Sequence, residues 1–107
     1  MLTRILALSF LFLTLSAACA QERGNPASGL NYAEQVCAQC HAIRKADEFS
    51  PHRLAPSFET IANTAGVTGI SLAAILHSVH ENMPNFVLAA TERDNIIAYI
   101  LSLKHER

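Results

Sequence analysis

From residue 25 onward the apolar side chains recur at three- and four-residue intervals rather than at alternate positions, which predicts helices and no strands. Asn25-Pro26 is a good start for the first helix, because the Asn side chain can cap and Pro is tolerated at the first helical position. Leu30, Ala33 and Cys37, flanked by Tyr32 and Val36, then carry the pattern into the cysteines. Residues 42–55 contain Asp47, Ser50 and Pro51 and few apolar positions, so a loop is expected there. Pro56-Ser57 opens a second short helix with Phe58, Ile61, Ala62 and Ala65 on one face and Gly66 as its stop. Ser71 is the expected cap of a third helix bearing Leu72, Ile75, Leu76 and Val79. Thr91 and Asp94 resemble a capping box for a last helix whose Ile96, Ile97, Ile100, Leu101 and Leu103 form a wide apolar stripe. The expected class is all-α, with about four helices.

The first twenty residues follow another rule. Arg4 precedes an apolar run from Ile5 to Leu15 broken only by Ser9 and Thr14, and Ala18-Cys19-Ala20 supplies the small residues of a cleavage site. The run is too short for an ordinary membrane span. Residues 1–20 therefore read as a signal peptide, 21–27 as a flexible leader and 28–107 as one domain, exported to the periplasm. Lipid attachment at Cys19 is the alternative, disfavoured because Ser16 stands where a lipobox prefers an aliphatic residue. Removal of Arg4 with the signal shifts the formal charge from −1 to about −2 and leaves no basic stripe. That disfavours nucleic acid and anionic membranes as partners, and no stable membrane insertion is expected after cleavage.

The candidate chemistry lies at Cys37-Ala38-Gln39-Cys40-His41. C-x-x-C-H is the spacing of covalent c-type haem attachment: two thiols on adjoining positions form thioethers with the porphyrin vinyl groups, and the next residue is an imidazole ligand for iron. The rival readings fare worse. A thioredoxin-like redox pair wants a βαβ setting that the pattern lacks. A structural zinc site wants a second ligand pair at finger spacing. A plain Cys37–Cys40 disulfide leaves His41 unexplained. One haem c with its iron is the expected cofactor, and it gives a domain this small an apolar surface to pack against.

Cleavage after Ala20 would leave Met83 as the one methionine, in Asn82-Met83-Pro84 between the third and fourth helices. A thioether on an irregular segment can serve as the second axial ligand, with Pro84 limiting the backbone freedom lost in placing it. The plainer alternative is a core-filling methionine. Among His52, His77, His80 and His105, His80 is the best spare ligand, being three residues from Met83.

These residues resemble the small monohaem cytochrome c family of class I type over essentially the whole exported segment. The resemblance rests on Cys37-Ala38-Gln39-Cys40-His41, the Ala-Pro-x-Phe stretch from Ala55 to Phe58, Asn82-Met83-Pro84 and the closing Ile-Ile-Ala-Tyr-Ile helix. It implies the small cytochrome c fold around one covalently bound haem, with Cys37 and Cys40 as thioether sites and His41 and Met83 as axial ligands. It also implies that the Pro56 carbonyl accepts the His41 imidazole N–H, orienting the ring, and that Tyr99 lies where the first and last helices meet. The chain departs from the family pattern at Ala55, where glycine is common, and at Ala33, where a bulky aromatic is frequent and Tyr32 stands beside it. With only Lys45 and Lys104 as lysines it lacks a lysine-ringed docking face.

The implied function is single-electron transfer between redox proteins that dock at the haem edge, by a monomer or in transient complexes, with no catalytic residues. An electron-acceptor subunit of a periplasmic dehydrogenase or oxidase is the alternative, and a haem sensor with a dissociable Met83 is the third reading.

Overall fold

Asn25 stands in extended backbone with its side-chain oxygen accepting the Ser28 N–H at 3.1 Å, and Pro26 follows it as the first helical residue. This computed structural model describes residues 23–78, 80 and 82–106, which form four α-helices and, among the described residues, no strand. They are α1 (Pro26–Gln35), α2 (Phe58–Asn63), α3 (Gly69–His77) and α4 (Ala90–Ser102), with a 3₁₀ turn over Cys37–Gln39. The all-α expectation is met. The expected signal peptide, with Cys19, and residues 21 and 22 of the expected leader lie outside the described residues. No described helix is long and apolar enough to cross a membrane.

Four boundaries differ from expectation. The helix does not run through the cysteines: α1 stops at Gln35, and the Cys37 carbonyl then accepts both the Cys40 N–H at 3.1 Å and the His41 N–H at 2.9 Å. Thr68 caps α3, and Ser71 is its capping-box partner, the two exchanging side-chain to backbone hydrogen bonds at 2.8 and 3.2 Å. The start of α4 falls at Ala90, where the Glu92 carboxylate returns to accept the Ala89 N–H at 3.0 Å. The second helix ends before Ala65 and Gly66: α2 stops at Asn63 with Thr64 as its C-cap, and Gly66 lies in the turn beyond it, in left-handed backbone at φ 80°.

The domain also begins earlier than residue 28. The Asn25 N–H donates to Asn95 Oδ1 at 2.8 Å, and a Cβ placed on Gly24 would meet the Asp94 carbonyl oxygen at 1.9 Å. The segment from Gly24 onward is therefore packed on α4 and does not belong to a loose leader. The main helix contact joins α1 to α4, and α2 and α3 also pack on α4. Gly29 is the closest point: a Cβ there would fall 2.0 Å from the Asn95 carbonyl oxygen and 2.8 Å from Tyr99 Cβ. Ala33, fully buried one turn on, has no room around it for the aromatic that the family often places there, while Tyr32 packs at the edge of the core.

Ile96, Ile97, Tyr99 and Ile100 of α4 form the core with Phe58, Ala62, Leu72 and Ile43. Within it the Tyr99 hydroxyl donates to the Ile43 carbonyl at 2.7 Å, tying α4 to the loop that follows the cysteines. Burial raises the Tyr99 phenol above its ordinary value, so it stays a donor. Tyr99→Phe leaves that carbonyl buried without its partner and is expected to cost about 1–3 kcal/mol in denaturant unfolding. A variant as stable as the parent would show that water replaces the bond.

Candidate functional site

A cavity of about 310 Å³ opens where the 3₁₀ turn, the chain before α2, α3 and the segment after α3 converge on α4. Val36, Cys37, Gln39, Cys40 and His41 line it from the turn; His52, Leu54, Ala55, Pro56, Phe58 and Ile61 from the next stretch. Leu72, Ile75 and Leu76 come from α3, Ile96 and Ile100 from α4, and His80, Asn82, Met83, Pro84 and Phe86 from the segment between those helices. All five residues singled out in the sequence, Cys37, Cys40, His41, Pro56 and Met83, thus face one largely apolar space. His77 and His105 do not line it.

Local bonding explains how the His41 side is held. The Ala42 N–H donates to Ser50 Oγ at 2.9 Å, the His52 N–H to the Cys40 carbonyl at 3.0 Å and the Phe58 N–H to the Ala42 carbonyl at 2.9 Å, folding the loop back on the 3₁₀ turn. This return brings the Pro56 carbonyl 2.6 Å from His41 Nδ1. A carbonyl can only accept, so Nδ1 carries the imidazole proton and Nε2 keeps its lone pair. That is the tautomer a metal-binding histidine needs, with its orientation set by the second nitrogen. Phe58 lies against the His41 ring at 5.4 Å between centroids, and Tyr99 against Phe58 at 6.3 Å.

Cys37 and Cys40 are both free thiols. Burial pushes the Cys37 thiol up to about 11, the opposite of the lowered value that activates a redox C-x-x-C pair. Among the described residues no cluster of three or more His, Cys, Asp or Glu side chains is arranged to hold a metal ion alone. The donors instead fit an iron already carried by a macrocycle: two thiols to tether it, one oriented imidazole, one thioether and apolar walls. Leu54, Ile75 and Phe86 are 61 %, 45 % and 41 % exposed and all face the cavity, so a flat apolar group seated there would cover them.

Met83 sits half-buried on a reverse turn closed by its own N–H donating to the His80 carbonyl at 3.3 Å. Asn82 occupies the left-handed position of that turn at φ 62°, a conformation Asn adopts more readily than most residues.

Sequence reasoning did not find Phe58 as the neighbour of the His41 ring, nor Leu54 and Phe86 as cavity walls. The signal for the last two was present: each is a large apolar residue in a stretch without helical periodicity. A second cleft, open and polar, runs between residues 45–48 and α2, with a volume near 670 Å³. It gathers neither cysteine nor methionine, and its one histidine, His105, is bonded through Nε2 to Glu59 at 2.7 Å.

A curated protein named cytochrome c-552, from Bradyrhizobium diazoefficiens, is 34 % identical to this chain over 89 residues, covering 83 % of the chain and 82 % of that protein. No protein-family model and no solved structure matches the chain.

Proposed function

The chain belongs to the small cytochrome c family, and from that premise we propose that it is an exported, periplasmic carrier of single electrons between redox proteins. As a member of that family it is a c-type cytochrome of electron transfer. The observation that supports the finer reading most is the shared cavity, where His41 is held in its ligand tautomer beside Cys37 and Cys40, with Met83 on the same wall system.

Cys37 and Cys40 would hold haem c through thioethers, and His41 Nε2 and Met83 Sδ would be the donors to its iron. Bound there, haem c supplies an iron couple that exchanges one electron. The chain's own residues do the rest. The Pro56 carbonyl keeps the proton on His41 Nδ1 and raises the basicity of Nε2. The Met83 thioether would favour ferrous iron and so raise the potential. Phe58, Leu72, Ile96 and Ile100 exclude water from the cavity, which limits the solvent reorganisation that accompanies a change of charge. With His41 and Met83 both donating to its iron, a bound haem would offer small ligands no open site, as suits a carrier. Docking would take place at the cavity mouth, through a modest and transient interface of the redox type.

The test is the visible spectrum of the reduced, matured protein before and after carbon monoxide. A c-type spectrum that the gas leaves unchanged is expected. A shifted spectrum would remove Met83 from the ligand set and turn the reading toward sensing, and absence of haem bands would sink the assignment of Cys37, Cys40 and His41.

A further inference from the structure

We propose that His80 is a second distal ligand, carried beside Met83 on the same turn and able to take the sixth position on the iron when the thioether leaves it. The proposal rests on the reading of the cavity as a haem site and adds a residue to it.

Three histidines line the cavity, and their hydrogen bonds sort them. His80 Nδ1 lies 3.2 Å from the Ser78 carbonyl oxygen. Since a carbonyl only accepts, this contact places the proton on Nδ1 and leaves the Nε2 lone pair for a metal, the same arrangement that the Pro56 carbonyl gives His41. His52 is held the other way. Its Nδ1 accepts the Leu54 N–H at 3.3 Å, so in the neutral ring the proton sits on Nε2 and neither nitrogen offers a lone pair. The His52 backbone is also bonded to the Cys40 carbonyl, which groups it with the His41 side of the site. Of the two candidates, only His80 is in the ligand tautomer.

Chain geometry supplies the second observation. The Met83 N–H donates to the His80 carbonyl, and Asn82 holds the left-handed position between them, so His80 and Met83 are the first and last residues of one reverse turn. Residues so related have Cα atoms within about 7 Å. Both side chains line the cavity from that turn, and a shift of this one element can exchange them.

The exchange balances simply. One iron–sulfur bond would break and one iron–nitrogen bond form; no electron is transferred, and from the neutral ring with its proton on Nδ1 no proton has to leave. Imidazole is the harder donor and thioether the softer, so ferric iron favours His80 and ferrous iron favours Met83. The turn therefore gives the protein two ligand sets whose balance follows the oxidation state.

The experiment uses the matured, haem-loaded protein and two variants, Met83→Ala and the nearly volume-conserving Met83→Leu, so that a loading failure in one leaves the other. In both, the ferric form is expected to be low-spin with a bis-imidazole electron paramagnetic resonance signal, and the reduced form closed to carbon monoxide. Adding His80→Ala to either variant is expected to give high-spin iron and a carbon monoxide-shifted spectrum, whereas adding His52→Ala is expected to change neither. Single Met83 variants that are high-spin and bind the gas as readily as the doubles would overturn the role of His80. So would low-spin iron that persists after His80 is removed. Absence of haem bands from the parent protein would instead overturn the underlying haem reading, and the two failures are told apart by that one spectrum.

Discussion

Replacing both Cys37 and Cys40 by alanine is expected to lower the melting temperature by tens of degrees and to make it depend on added haem. The two thiols stand on a cavity of about 310 Å³ whose walls are mostly apolar. At about 24 cal/mol for each Å³ of unfilled apolar space, losing the tethered occupant costs up to about 7 kcal/mol. A domain of this size has only about 5–15 kcal/mol of stability, so the loss is comparable to the whole. His41 and Met83 remain in the variant, and free haem can still occupy the cavity by mass action. Its stabilisation then grows with haem concentration, whereas in the tethered parent the melting temperature is independent of it. The measurement is a thermal melt followed by far-ultraviolet circular dichroism at two haem concentrations. Equal melting of parent and variant would mean that the cavity needs no occupant to hold α3 and the Met83 segment on α4.

Gly29→Ala is expected to be the most damaging single-methyl addition in the helices. Judged by propensity alone the change should help, by about 1 kcal/mol, since Ala is the better helix former. The added Cβ would fall 2.0 Å from the Asn95 carbonyl oxygen, which belongs to the backbone of α4 and cannot rotate aside. Relief requires α1 and α4 to separate along their whole contact, loosening Ala33 against the core and the Asn25–Asn95 bond. Overpacking of this kind costs about 1–3 kcal/mol and more when backbone must move, so a net loss of about 3 kcal/mol is expected. Denaturant unfolding of the haem-loaded variant checks it. Unchanged stability would place the crossing of α1 and α4 elsewhere than at Gly29.

Much of this was legible in the linear chain, for identifiable reasons. The helices were visible because their apolar residues must share one face, and a 3.6-residue period records that constraint directly. Starts were less legible where capping is shared. Thr68 and Ser71 are both good caps, and only the folded backbone decides that Thr68 is the cap and Ser71 its partner. At α4 the cap is Ala89, whose side chain can accept nothing, and the compensating Glu92 carboxylate sits three residues on, where sequence alone favoured Thr91. The Cys37–His41 run stood out because the thioether attachment and proximal ligation proposed for it would demand a fixed spacing. The protonation pattern of the histidines was not, since it is set by the Pro56, Ser78 and Leu54 backbone groups to which folding joins them. Nor did the pattern reveal that Gly24 and Asn25 are packed on α4, because that contact pairs residues seventy positions apart.

That pairing has a consequence for timing. Gly24, Asn25 and Gly29 complete the first helix only against Asp94, Asn95 and Tyr99, near the far end of the chain. The α1–α4 contact cannot form until residues 94–99 are available to it, and closing so long a loop adds to the entropic cost of forming it. Until then the Cys37–His41 stretch lies in an open chain, accessible from every side. The same crossing that later seals the core thus leaves an interval before closure, and a haem tethered within that interval would need no reopening of the fold.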